Sequence, residues 1–147
     1  SGGTCSLTCN PIGGGIVGIV LGLLITSSFL NKPQEVVASS GNIVEVEGQQ
    51  QLDEILKNNR IVLVDFYADW CGPCKIVRPS INAIAYEYHG RIAVAAVNVD
   101  RNRDAAGKAQ VTAIPDVRIY KNGIEAGRIS GAAPKSGYVE AVEKALR

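Results

Sequence analysis

The chain has 147 residues and is most clearly described by what it lacks: it has no methionine and only one histidine, and almost no charge at one end. Without methionine, no initiator residue is among those present; removal before the small Ser1, other processing or an expression scar each accounts for that. Of the 15 basic and 14 acidic side chains, only Lys32 falls in the first 34 residues. The rest lie beyond it and nearly cancel. No basic stretch is long enough to neutralise several phosphates, which argues against a nucleic-acid binder. The balance also predicts little long-range steering of any partner. There is no internal repeat or low-complexity tract, and the length suits one ordinary domain plus an extension.

The uncharged end contains residues 11–30, twenty residues without a charge from Pro11 to Leu30. A helix crossing the hydrocarbon layer needs about 20 mainly apolar residues. Thr26, Ser27 and Ser28 can bond back to helix carbonyls within such a span. Gly14, Gly18 and Gly22 line one helical face and would let a second membrane helix approach closely. A retained single-pass anchor is the first reading. A secretory signal cleaved near Val36-Val37-Ala38 is the second, although the segment before the span has no Lys or Arg and the cleavage site lies far from the apolar core. A buried helix of a soluble fold is the third. Lys32, offset by the nearby Glu35, leans the following domain towards the cytoplasmic side. Cys5 and Cys9 precede the span. They can form a second disulfide, carry acyl chains, supply half of a metal site or be two ordinary thiols.

Residues 1–10 thus read as a tail, 11–30 as a transmembrane anchor and 31–42 as a polar linker containing Ser39-Ser40-Gly41. Residues 43–147 read as one α/β domain in the order βαβαβαββα. Strands are expected at 43–46, 61–67, 91–99, 117–120 and 124–129. Helices are expected at 50–58, 71–88, 102–110 and 134–146. The stretch Ile61-Val62-Leu63-Val64-Asp65-Phe66-Tyr67 has the continuous apolar, β-branched character of a strand buried on both faces. Pro79 is expected to kink the long helix. Asn122-Gly123 favours a tight hairpin turn. Helices interleaved with strands, ending in a hairpin and a helix, imply a mixed sheet covered on both faces.

Directly after the apolar strand comes Trp70-Cys71-Gly72-Pro73-Cys74. Two thiols separated by two residues, where a strand hands over to a helix, point to dithiol–disulfide exchange. Cys71 at the helix mouth would be a thiolate favoured by unpaired amides and the helix dipole, and is expected to be exposed. Cys74, one turn inside, would be shielded and suit the resolving role. Pro73 fits the first turn of a helix, and Gly72 is expected to permit the tight backbone between the sulfurs. A closed zinc site would need two further Cys or His ligands, and the domain offers only His89, to which no role is assigned. No metal or cofactor is expected.

The segment Val64-Asp65-Phe66-Tyr67-Ala68-Asp69-Trp70-Cys71-Gly72-Pro73-Cys74-Lys75 resembles the active-site segment of the thioredoxin family. The resemblance continues through Pro79, Val97-Asn98-Val99-Asp100, Ala113-Ile114-Pro115, Lys121-Asn122-Gly123, Gly131 and the final helix, so it covers residues 43–147. It implies a thioredoxin fold with Cys71 as nucleophile and Cys74 as resolving thiol. Asp65 would lie buried beneath the pair as proton acceptor and donor, with a raised pKa. Ile114-Pro115 would be a cis peptide facing the disulfide. Trp70, Gly72, Pro73, Ile114, Pro115 and Gly131 would form the surface that docks protein disulfide substrates, and an electron-donating reductase would be a second partner.

Two positions depart from the family pattern. Asp116 stands where Thr is common after the cis-proline, and its charge is expected to raise the thiol pKa values or bias substrate choice. Ala96 stands where a Lys often lies near the buried Asp, which is expected to leave the carboxylate less stabilised. The leading expectation is a membrane-tethered protein-disulfide reductase. The rival is a thioredoxin-fold scaffold subunit of a membrane assembly with incidental redox activity.

Overall fold

The computed structural model of the chain describes residues 43–147. The tail, the expected anchor at 11–30 and the linker, with Cys5 and Cys9, lie outside the described residues. Among the described residues no helix is long and apolar enough to cross a membrane.

The order is β1 (Val44–Glu45), α1 (Gln49–Asn58), β2 (Ile61–Tyr67), α2 (Gly72–Glu87), β3 (Ala93–Asn98), α3 (Arg103–Lys108), β4 (Asp116–Lys121), β5 (Ile124–Ser130) and α4 (Lys135–Leu146). The five strands form one sheet in the order β1-β3-β2-β4-β5. β3 is parallel to both β1 and β2, whereas β4 is antiparallel to β2 and to β5. This is the thioredoxin fold, a mixed sheet flanked by helices.

β2 is the central strand, and its alternation divides the core. Ile61 and Leu63 face the side covered by Val77, Ile81 and Ile84 of α2 and Tyr138 and Val142 of α4. Val62, Val64 and Phe66 face the other side, with Leu52 and Ile55 of α1 and Ala105 of α3. Successive side chains of a strand point to opposite faces, so a strand apolar throughout is stable only when both faces are covered. The apolar spacing on α1 and α2 meets that need, and α2 runs through Pro79 as one helix.

Some boundaries shift from the sequence expectation. The third strand begins at Ala93, not Arg91, because the amides of Arg91 and Ile92 both bond to the Tyr88 carbonyl and close the end of α2. The third helix ends at Lys108, not Gln110. Gln110 takes φ 53°, while Val111 N–H bonds to Ala106 O and Gln110 N–H to Gly107 O, the paired bonds that finish a helix with a left-handed residue. Asn122 and Gly123, at φ 53° and 78°, make the hairpin turn between β4 and β5; two positive φ values in succession are what a two-residue hairpin requires.

Asp116 opens β4 and is fully buried. Arg118 donates to its Oδ2 from Nε at 3.3 Å and Nη2 at 2.9 Å. Arg128 on β5 donates from Nε to Oδ1 at 3.0 Å and from Nη2 to Oδ2 at 2.9 Å. Arg118 also reaches Glu125 at 3.0 Å and lies over the Phe66 ring. The carboxylate is therefore enclosed by two guanidiniums, the geometry that makes a buried charge tolerable. The network ties β4 to β5 on the α1/α3 side of the sheet, opposite the face that carries Asp65.

Candidate functional site

The site lies where β2 ends and α2 begins. Cys71 is the N-cap of α2, with extended backbone, and its Sγ accepts a hydrogen bond from Cys74 N–H at 3.2 Å. The two cysteines form a disulfide with Cα atoms 5.3 Å apart. A sulfur at that place faces the positive end of the helix and an otherwise unpaired amide, both of which favour a thiolate. Pro73 sits in the first turn of α2, where its missing N–H leaves no bond unmade.

Exposure does not distinguish the two sulfurs. Cys71 was expected to be exposed, yet it is 3% accessible against 4% for Cys74. Both pack with Ala68, against Tyr67, Val99 and Ile114. What separates them is the N-cap position of Cys71. Gly72 is also explained differently from the sequence reading. It lies within the helix, and a Cβ there would meet nothing within 4 Å, so the backbone does not demand glycine. Its absent side chain leaves the surface beside the sulfurs bare.

Asp65 is on the α2/α4 face of β2, 1% exposed, and neither carboxylate oxygen has a hydrogen-bond partner. Burial pushes its pKa up from 3.8 to about 6, with the Arg78 guanidinium pulling it down and the Glu45 carboxylate pushing it up. The raised value follows the sequence expectation. Ala96 stands beside Asp65 in the β2–β3 register, so the strand itself supplies no cation; one comes instead from α2. Arg78 follows Cys74 by four residues, a spacing that puts both on one face of the helix. That spacing was the overlooked signal in the sequence.

Several of the residues expected to dock a substrate are tied together near this site. The Ile114–Pro115 bond is cis. The Pro115 carbonyl accepts from Gly131 N–H at 2.7 Å, and Gly131 adopts φ 87°, a conformation that favours glycine. Trp70 is 70% exposed, and its Nε1 donates to Asp100 Oδ2 at 2.9 Å. Arg101 pairs with Asp69 at 3.1 Å, so the loop before Cys71 is fastened to the loop after β3. Asp100 was not singled out in the sequence, although it belongs to the Val97–Asp100 match. Trp70, Val99, Val111, Thr112, Ala113 and Ile114 line an apolar groove of about 320 Å³ beside the disulfide.

The charge expected at Asp116 is taken up by Arg118 and Arg128, on the face opposite Asp65. Its carboxylate is thus neutralised in place and is not a free anion acting on the thiols. Among the described residues no three His, Cys, Asp or Glu side chains converge on a point that could hold a metal ion.

A thioredoxin family model matches residues 42–144. Thioredoxin 1 of Chlorobaculum tepidum is 42% identical over 98 residues, covering 66% of this chain and 97% of that protein. Thioredoxin 1 of a Nostoc species is 41% identical over 93 residues, or 63% of this chain and 87% of that one. Among solved structures, a mutant thioredoxin from Halobacterium salinarum superposes with TM-score 0.69 at 30% identity, covering 74% of this chain and 95% of that one. With the Cys71–Cys74 pair at the helix mouth, these similarities identify the chemistry as thiol–disulfide exchange on protein disulfides. The chain belongs to the thioredoxin family.

Proposed function

We propose that the chain is a membrane-tethered reductase in which Cys71 opens the client disulfide and Cys74 releases the client. The observation that carries this division of labour is the N-cap geometry, in which the Cys71 sulfur already accepts a helix amide. In the reduced protein the Cys71 thiolate attacks one sulfur of a client disulfide, and the other client sulfur leaves as a thiolate. Cys74 then gives its proton to the Asp65 carboxylate and attacks the Cys71 sulfur. The Cys71–Cys74 disulfide forms, the second client thiolate departs, and the two client thiolates take up protons. The client gains two electrons and the chain loses two. A dithiol-supplying reductase restores the chain.

Trp70, Gly72, Pro73, Ile114, Pro115 and Gly131 form the docking surface in this reading. Trp70 and Ile114 contribute apolar area, and the bare Gly72 gives access to the sulfurs. The tether is residues 11–30, supported by their length and lack of charge, with the catalytic domain on the cytoplasmic side. Labelling Cys71 with an impermeant thiol reagent in intact cells is expected to fail until the membrane is permeabilised; labelling in intact cells would put the domain on the other side.

Insulin reduction by the full chain with a dithiol donor is expected to proceed, and Cys71→Ser to abolish it. Wild-type activity equal to that of the variant would contradict the reading.

Asp65 yields a stability prediction of definite sign. Its folded pKa lies above its ordinary value, so the native state holds the proton more tightly than the unfolded chain. That contribution is fully present below about pH 4 and is lost as pH rises through about 6. Asparagine approximates the protonated form at every pH. In urea unfolding of the oxidised protein, Asp65→Asn is expected to exceed wild type by about 3 kcal/mol at pH 8, taking roughly two pKa units at 1.36 kcal/mol each, and to match it near pH 3.5. A pH-independent difference would contradict the assignment.

A further inference from the structure

The surroundings of Asp65 contain a charge arrangement that the exchange chemistry above does not use. In the sheet register Asp65 stands beside Ala96, and Ala96 beside Glu45. The three form one row across β2, β3 and β1, and residues of such a row share a face. Tyr67 lies two residues beyond Asp65, on the same face of β2. Its hydroxyl donates to Glu45 Oε2 at 2.8 Å. Arg78 Nη1 donates to Glu45 Oε1 at 3.3 Å, and its guanidinium lies 4.2 Å from the centroid of the Tyr67 ring. Glu45 is thus held by both neighbours, and Arg78 is fixed between a carboxylate and an aromatic face.

We infer that Glu45, Tyr67 and Arg78 act as one positioning unit that sets the pH at which Asp65 exchanges its proton. This rests on the reading of Asp65 as the proton carrier for Cys74. The other elements around Asp65 supply nothing equivalent. β3 contributes Ala96 and β4 contributes Val117 at the register positions. α4 contributes Tyr138, fully buried, whose hydroxyl accepts from Ala133 N–H at 3.1 Å. α2 contributes Arg78. Arg78 is therefore the cation that acts on Asp65, and Glu45 is the anion that offsets it.

The two charges act on Asp65 in opposite directions. An unopposed guanidinium would stabilise the carboxylate and strip the proton at lower pH. Burial is what raises the carboxyl pKa, Arg78 pulls it back down, and Glu45 partly neutralises that guanidinium while adding its own repulsion, so the downward pull is limited. Tyr67 fixes the pair, because the guanidinium stacks on its ring and its hydroxyl orients Glu45. Arg78 and Glu45 are both partly exposed, so replacing either removes a charge without opening the core.

The test is a carboxyl-carbon NMR titration of Asp65 in the reduced full-length chain, the signal being identified by its loss in Asp65→Asn. Arg78→Leu is expected to raise the midpoint by about half a pH unit or more, and Glu45→Gln to lower it by a similar amount. Arg78→Lys is expected to return the midpoint to the wild-type side. Shifts of the same sign in the two charge-removing variants, no shift in either, or Arg78→Lys behaving like Arg78→Leu would overturn the inference. The titration reads the carboxyl itself and needs no turnover. A chain inactive on insulin with opposite shifts therefore loses the reductase reading alone, and an active chain without them loses the inference alone.

Discussion

The central strand buries a carboxyl group, and that burial raises its pKa to about 6. β2 is sealed on both faces, and six of its seven positions carry apolar or aromatic side chains. Asp65 is the exception, with no hydrogen bond to either oxygen. Taking such a group out of water disfavours its charged form, so the same packing that makes the sheet stable turns Asp65 into a group that exchanges a proton near neutrality. The strand also ends where α2 begins. The sheet core thus holds Asp65, and the disulfide sits at the start of the helix that follows the strand.

Two buried aspartates on neighbouring strands show how differently one side chain can be used. Asp116 accepts four hydrogen bonds from Arg118 and Arg128 and acts as a fixed ionic tie between β4 and β5. Asp65, on the other face, has no direct partner and feels Arg78 only through space. Fully paired buried charge fastens structure, whereas unpaired buried charge stays responsive to pH. The tie keeps the start of β4 in place directly after Pro115, while Gly131, just past the end of β5, donates to the Pro115 carbonyl. Both sides of the Ile114–Pro115 loop are therefore secured, and the Asp116 carboxylate is paired.

Much of this was legible in the chain itself. The apolar run at 61–67 and the amphipathic spacing of α1, α2 and α4 gave the element order, and Cys71-Gly72-Pro73-Cys74 gave the chemistry. The Asn122-Gly123 pair marked the hairpin. What could not be read depended on contacts across the sheet. Arg118 and Arg128 alternate along two strands in the pattern of ordinary surface residues, and only the β4–β5 pairing brings them onto Asp116. Glu45 is distant in sequence from Asp65 and reaches its vicinity through β3. The burial of Cys71 follows from Val99 and Ile114 closing over the pair, two loops that local spacing does not place together. Arg78 was the nearest miss, since its spacing from Cys74 alone puts it on the active-site face of α2.

In the proposed exchange Cys71 attacks first and Cys74 resolves. Trapping the mixed disulfide tests it most directly, because removing the resolving thiol should strand the intermediate. Incubating the reduced full-length Cys74→Ser variant with a protein disulfide, then separating the products without reductant, is predicted to give a covalent adduct through Cys71, with none formed by Cys71→Ser. An adduct carried by Cys74 in the Cys71→Ser variant, with none at Cys71, would contradict the account.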